Sequence, residues 1–419
     1  MSIPFDRNCG ADAGSARGPL AEWWNIQLAV LQKGGGLHQS RVDNIKPRET
    51  LQVQKNDILV SNSTRYLVMD FIGEGFLAKV AKCLNLTTYY TVAVKIYTHK
   101  EEDLIQQEVD TLEVTRALNP EKNNIVRFVE SFRFNGLSCL VFEMLDRSLF
   151  DLIIERDQTP LRINEIRPVI HQLLVAFDAL KGIGMIHGDL QPENIMLVNH
   201  KDQPYKVKLI DFGLAIPLNL LNAGDTVHPC GYRAPEVLLG LPLSEAVDMW
   251  GIGCVMACLC LGQHLFLGDC PYHLMETMMQ MLGHKPQPSW NFFDTFMDLE
   301  EAVQRCQPSR DRITPKEALK HPFITMTHLL NGKETPSYVV EAHQFMVVCP
   351  TYYPDEEDED WTGPQNAYNI EAGPRAFCSL ALKMCSKSVS GPVRAGHLKQ
   401  NLLLSRPVAW MSLNIKDIK

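Results

Sequence analysis

The stretch HGDLQPENIML, residues 187–197, sets a carboxylate, Asp189, five positions ahead of a carboxamide, Asn194. KLIDFG then supplies Asp211, twenty-two residues beyond Asp189. Phosphoryl transfer needs a carboxylate to orient the attacking hydroxyl and take its proton. It also needs oxygen ligands for a magnesium ion that bridges the phosphates. Asp189 suits the first task, and Asn194 and Asp211 suit the second. Upstream, IGEGFLAKV at 72–80 carries Gly73 and Gly75 in a turn between β-rich runs, where backbone amides can approach phosphate oxygens with no Cβ in the way. A third glycine of such a loop is replaced by Ala78. VAVK places Lys95 on an apolar strand, and an inward lysine there needs a partner. Glu108, on the helix that follows, is the natural one. Taken singly, each of these residues is more often structural; the ordered set is not an accident.

The elements that must position them read in two blocks. From about 65 to 145 the runs RYLVMDFIG, AKVAKCLNL, YYTVAVKIY, IVRFVESFRF and SCLVFEML are short and β-rich. Between the third and fourth, EEDLIQQEVDTLEVTRAL places Leu104, Ile105, Val109, Leu112 and Val114 at helical spacing. Five strands and one helix make a small α+β lobe. From about 146 to 325 helical periodicity dominates, interrupted by the strand-like KVKLIDFG. A cleft between a β-rich and a helical lobe is the expected ligand site. Residues 1–60 read as a flexible leader, in which LAEWWNIQLAVLQ (20–32) reads as a loosely docked flank rather than a short amphipathic helix. Residues 326–419 read as an irregular tail containing the acidic run DEEDED at 355–360.

Bulk composition narrows the classes. The chain has 419 residues, 45% of them apolar, enough for a substantial core, and its net charge of −9 gives no reason to expect direct nucleic-acid binding. Its twelve cysteines form no CxxC pair. Cys254, Cys258 and Cys260 lie in the apolar run WGIGCVMACLCLG, where buried helix thiols are expected rather than a metal site, and the set reads as reduced. No secretory h-region opens the chain. The most apolar segment, about 247–267, contains Asp248, Gln263 and His264 and suits a core helix better than a membrane span.

Glycine loop, VAVK, Glu108, HGDLQPEN, DFG and APE (Ala234, Pro235, Glu236) follow the order of the eukaryotic protein kinase signature. The chain resembles that family over residues 66–325, with the lobes meeting near 145. The resemblance implies a bilobal α+β fold, a β-rich N-lobe with one main helix and a mostly helical C-lobe. It implies ATP and Mg²⁺, with nucleotide contacts from Ile72, Gly73, Glu74, Gly75, Ala78, Val80, Ala93, Lys95, Glu143, Leu145 and Met196. Phe142 stands at the gatekeeper position, before the adenine-binding backbone of 143–145. Asp189, Lys95 and Gln191 fall at catalytic positions; Asn194 and Asp211 at metal positions. Glu108, His187, Phe212, Gly213, Glu236, Asp248 and Arg312 fall at supporting ones, Asp248 bracing the catalytic loop and Arg312 pairing with Glu236. The stretches LVFEML, RPVIHQLLVAF, PENIMLV, YRAPEVLLGLP and AVDMWGIGCV further resemble the homeodomain-interacting protein kinases, of the dual-specificity tyrosine-regulated branch. That likeness implies serine/threonine phosphorylation of protein substrates such as transcriptional regulators, a monomeric kinase domain, no membrane partner, and residence in the nucleus or cytoplasm.

Departures from the pattern are local. Thr226 stands where that branch carries its self-phosphorylated tyrosine and is a candidate phosphosite. Cys230 and Gly231 replace a neighbouring arginine and tyrosine. Gly188 replaces the arginine that grips an activation-loop phosphate in many kinases, so control by phosphate capture there is not expected. Gln191 replaces a lysine that reaches the γ-phosphate; losing one preorganised charge costs on the order of 3 kcal/mol, or ~10²-fold in rate. A segment between MLGHKPQ and FMDLEE is shorter than in that branch. Two readings follow: a serine/threonine kinase of reduced turnover, which the complete Lys95, Glu108, Asp189, Asn194, Asp211 set favours, and a nucleotide-binding scaffold with little turnover.

Overall fold

Val92, Val94 and Ile96 alternate with Ala93, Lys95 and Tyr97, and a period of two puts the sets on opposite faces of a strand. In the computed structural model this is β4 (Thr91–Tyr97), with Val92, Val94 and Ile96 buried. The structure describes residues 53–75, 77–98, 101–267, 312–327, 336–349 and 372–385, with Leu329 and some positions between 271 and 278. The stretch 20–32, the acidic run 355–360 and the shortened segment before Arg312 lie outside the described residues. The chain forms two units, one holding residues up to Lys100 with Ser131–Val141, the other Glu101–Glu130 with Phe142 onward.

The first unit is built on most of a six-stranded sheet of order β1-β2-β3-β4-β6-β5, comprising β1 (Ile58–Val60), β2 (Arg65–Glu74), β3 (Ala78–Asn85), β4, β5 (Phe128–Phe134) and β6 (Leu137–Glu143), with Phe128–Glu130 and Phe142–Glu143 counted in the second unit. The sequence shows five of these. The sixth, β1, falls in the stretch read as a flexible leader, and it forms because Leu59 turns into the core while Ile58 and Val60 pair with Leu67 and Arg65. Tyr66, Val68, Ala81, Cys83, Cys139 and Val141 complete that core.

The second unit is mainly helical. Its described helices are α1 (Glu102–Thr115), α2 (Leu149–Glu155), α3 (Ile163–Gly182), α4 (Pro235–Leu238), α5 (Ala246–Leu261), α6 (Pro315–Leu319), α7 (Pro322–Thr325), α8 (Pro336–Met346) and α9 (Ala372–Cys385). Local chemistry starts several of them. Ser148 and Asp151 form a reciprocal capping box at α2, and Thr314 and Glu317 another at α6. Helix α5 is apolar on every side and buried, as such a helix must be. Cys254 and Cys258 are core thiols there, and no described helix is long and apolar enough to cross a membrane.

Gly262 ends α5 in the left-handed region at φ 70°, its N–H donating to the Cys258 carbonyl at 2.9 Å. A Cβ at 262 would collide with the Gln158 carbonyl. Gly262→Ala is therefore expected to cost roughly 2–4 kcal/mol, combining left-handed strain with a backbone clash. A denaturant titration checks this, and an unchanged midpoint would contradict it.

The expectation of an irregular tail after residue 325 is corrected by α8 and α9. Helix α8 docks on α3, and α9 docks on α5 and α7. Phe377, Leu380 and Met384, on one face of α9, are buried. Arg167 of α3 is fully buried, donating to the Phe323 carbonyl at 2.8 Å and to Asn164 Oδ1 at 2.8 Å. Its Nη2 also reaches the Tyr338 hydroxyl of α8 at 3.4 Å. Arg162 pairs with Glu341 beside it. Val339 and Val340 in α8 and Gly373-Pro374 at the start of α9 are poor helix formers, so docking rather than local preference sets these helices, which is why the sequence alone reads as irregular.

Candidate active site

An antiparallel hairpin places the two magnesium candidates. After the short strand β7 (Met185–Ile186), strand β8 (Ile195–Leu197) pairs with β9 (Val207–Leu209), Ile195 opposite Leu209. Asn194 just precedes β8 and Asp211 follows β9 by two residues, so the register carries both to one end. The Ile210 N–H donates to the Asn194 carbonyl at 2.9 Å and closes that end. Asn194 Nδ2 donates to the Asp189 carbonyl and to Asp189 Oδ2, each at 2.7 Å. The structure thus brings Asp189 and Asn194 into direct contact. Gln191 Nε2 stands 3.5 Å from Asp189 Oδ1, at the outer limit of a hydrogen bond. Asp189 is 4% exposed, and Gln191 and Asn194 are buried.

Asp248, at the start of α5, braces the loop. Its Oδ2 accepts from the His187 N–H at 3.0 Å and its Oδ1 from the Gly188 N–H at 3.3 Å. His187 Nδ1 accepts from the Asp189 N–H at 3.2 Å, while Nε2 lies 3.0 Å from the Ile210 carbonyl. These contacts assign the proton to Nε2. Burial depresses the His187 pKa, consistent with a neutral ring. Phe212 packs edge-on against His187 at 5.2 Å, and Phe177 lies beyond it at 6.1 Å. Asp211 itself is left-handed at φ 59°, an uncommon state for a non-glycine residue. Its Oδ1 accepts from the Gly213 N–H at 3.3 Å. Glu108 of α1 is buried with its carboxylate next to this turn, where a Cβ on Gly213 would come within 3.2 Å of Oε2.

The oxygen donors fit magnesium. Both amide hydrogens of Asn194 point toward Asp189, which leaves its side-chain oxygen facing away, and Asp211 supplies a carboxylate at the same hairpin end. Among the described residues no three His, Cys, Asp or Glu side chains gather to hold a metal unaided. A magnesium ion carried by a nucleotide needs only one or two protein oxygens.

In the sheet unit, Gly73 pairs with Val80 and Val80 with Lys95, while Lys82 pairs with Ala93 and Ala78 with Tyr97. Paired residues share a face, so Gly73, Ala78, Val80, Ala93 and Lys95 lie together on the side opposite the core. The Gly75 N–H donates to the Ala78 carbonyl at 2.8 Å and closes the turn; Ile72 and Glu74 are exposed beside it. In the helical unit, Leu145 is buried and Met196 half-buried, where the Asp146 N–H donates to the Leu197 carbonyl at 2.9 Å. Phe142 packs on Phe128 at 5.6 Å. Glu236 and Arg312 meet in a buried bidentate pair at 2.6 and 2.9 Å. Thr226 is exposed.

Three neighbours escape motif reasoning. Lys208 of β9 is 0% exposed, and its Nζ lies 2.6 Å from Glu143 Oε1 and 2.8 Å from Glu121 Oε1. The same Glu143 oxygen takes the Arg127 N–H at 2.6 Å, so the strand ladder stops there and the chain runs on into 144–147. A lysine between Val207 and Leu209 in a strand buried on both faces is the signal that could have flagged it. Glu193, inside the catalytic loop, is pushed up to about 7 by burial, with the Asp151 charge adding and a backbone hydrogen bond opposing. His228 lies buried against Asp248.

A catalytic-loop aspartate held by an asparagine, with a second aspartate at the same hairpin end, defines a phosphotransferase class of site. The family model for the protein kinase domain matches residues 66–324, over half of the chain, and the chain belongs to that family. It is 39% identical to homeodomain-interacting protein kinase 1 of Mus musculus, covering 71% of this chain and 30% of that protein. It is 32% identical to homeodomain-interacting protein kinase 2 of Mesocricetus auratus, covering 71% and 31%, so the match spans about a third of the length of these two relatives. To homeodomain-interacting protein kinase 4 of Homo sapiens it is 38% identical, covering 66% and 58%. A kinase-domain crystal structure matches with a TM-score of 0.52 at 26% identity, covering 61% of this chain and 81% of that one.

Proposed function

We propose that the chain is an ATP-dependent protein serine/threonine kinase. The observation that carries this is the Asp189–Asn194 contact on a loop braced by Asp248. Asp189 orients the substrate hydroxyl and accepts its proton; Asn194 holds the Asp189 carboxylate at Oδ2. The Asn194 side-chain oxygen and the Asp211 carboxylate would hold the magnesium ion. Mg²⁺, when bound with the nucleotide, neutralises phosphate charge. Lys95, on the same face of the sheet as Gly73 and Val80, is the residue to hold the α- and β-phosphates. Packing does not demand glycine at 73 or 75, where a Cβ would meet neighbours at 3.6 and 3.5 Å, ordinary contact distances, and bare backbone there suits phosphate.

Serine/threonine preference, substrates among transcriptional regulators, a monomeric state and nuclear or cytoplasmic residence follow from the resemblance and from the relatives' name, which describes them as homeodomain-interacting.

Purified protein is incubated with Mg²⁺, labelled ATP and a general basic substrate, with phosphoamino-acid analysis of the product. Label on serine and threonine is expected; nucleotide binding without label, or label on tyrosine alone, would overturn the reading. Gln191→Lys is expected to raise kcat, by up to ~10²-fold, since it restores a charge beside the transferred group. An unchanged kcat would refute the role given to position 191.

A further inference from the structure

We propose that His228 is a positioning residue that clamps the activation segment onto the catalytic loop, holding the site in working shape with no phosphate on that segment. The proposal rests on the kinase reading above and adds how the site is regulated.

Gly188 is where the parts converge. Its φ is 71°, and a Cβ there would lie 2.8 Å from the Leu214 carbonyl oxygen and 4.0 Å from Val227 Cγ1. Leu214 follows the DFG turn, and Val227 lies near the other end of the segment, so both ends of the segment close on this one backbone position. A side chain at 188 would have to leave through the Leu214 carbonyl. The space that a phosphate-gripping arginine would need is filled by the segment itself.

His228 fastens the far end. Its N–H donates to the Gly188 carbonyl at 2.6 Å, and its Nε2 lies 2.9 Å from Asp248 Oδ1. That carboxylate also receives the His187 and Gly188 amides. One buried acid thus holds the catalytic loop by its backbone and packs against a side chain of the activation segment. Neither ring nitrogen of His228 makes an aligned hydrogen bond, so the side chain acts by packing against Asp248, while its backbone N–H donates to the Gly188 carbonyl. Arg233 adds two bonds, from Nε and Nη2 to the His228 carbonyl, at 3.3 and 3.1 Å. His228 is left-handed at φ 64°, a strained state that persists only where the surroundings enforce it. Thr226, two residues earlier, is exposed and outside the clamp.

The test uses the full chain, treated with phosphatase and checked by mass spectrometry for the absence of phosphate on residues 211–236. Dephosphorylation and Thr226→Ala are each expected to leave kcat within about twofold. His228→Ala is expected to lower kcat about tenfold while the ATP KM stays within about twofold, as loss of positioning predicts. His228→Gln, which keeps a polar side chain of similar reach, is expected to recover at least half of that loss. Amide exchange over 226–231 is expected to quicken in His228→Ala and to be restored in His228→Gln. A collapse of kcat on dephosphorylation overturns the proposal, and so does a His228→Ala protein with wild-type kcat and exchange. If the wild-type chain transfers no phosphate, the kinase reading fails, and the exchange data alone then decide the clamp: faster exchange supports it and unchanged exchange overturns it.

Discussion

Asp189→Ala is expected to lower kcat by about 10³-fold, within the range for loss of a positioned general base. The nucleotide site should survive the change. Asn194 also donates to the Asp189 backbone carbonyl at 2.7 Å, so its side-chain oxygen stays in place when the carboxylate is removed. Asp248 holds the loop through the backbone of His187 and Gly188, which the substitution leaves alone. The expected signature is therefore a fall in kcat with little change in ATP affinity or melting temperature. Asp189→Asn, which preserves shape and removes charge, should fall nearly as far. A rapid-quench measurement of the first turnover separates chemistry from product release. An Asp189→Ala protein retaining a tenth or more of wild-type turnover would remove this residue from the mechanism.

Arg312→Ala is expected to destabilise the helical unit by about 3–5 kcal/mol, because it leaves the buried Glu236 charge unpaired. The guanidinium meets both carboxylate oxygens, also donates to the Ala246 carbonyl at 2.7 Å, and lies over the Trp250 ring at 5.5 Å. At this size the loss corresponds to a fall of roughly 10 °C in melting temperature. Replacing both partners by leucine should cost much less, since no charge is then stranded. Thermal melts of the single and double variants decide it. Equal losses in the two would mean that the pair matters for its shape and not its charge.

What could be read from the chain alone was set by how far a signal travels. Asp189, Asn194 and Asp211 sit within one short stretch whose spacing the β8–β9 hairpin converts directly into proximity. Strands β2, β3 and β4 were legible because alternation reports a buried face at each step. Strand β1 was not, since three residues carry too little pattern, and only Leu59 entering the core reveals it. Lys208 meets partners 65 and 87 residues away, and no spacing rule predicts such a meeting. Gly188 reads as a missing arginine, whereas the structure shows a position with no room for one. Beyond residue 325 the local signals conflict: Val339 and Val340 in α8 and Gly373-Pro374 at the start of α9 argue against helix, and docking overrides them.

That docking bears on how this protein can be cut and recombined. The family pattern stops at residue 324, yet the guanidinium of Arg167, wholly out of water, is satisfied partly by Phe323 on one side of that line and partly by Tyr338 on the other. A splice junction or fusion breakpoint at the edge of the recognisable motif would sever a shared polar knot and bare the floor of α3 to solvent. The inherited signature and the piece that can fold as a unit thus have different lengths, and a chimera that respects only the first would carry an exposed seam.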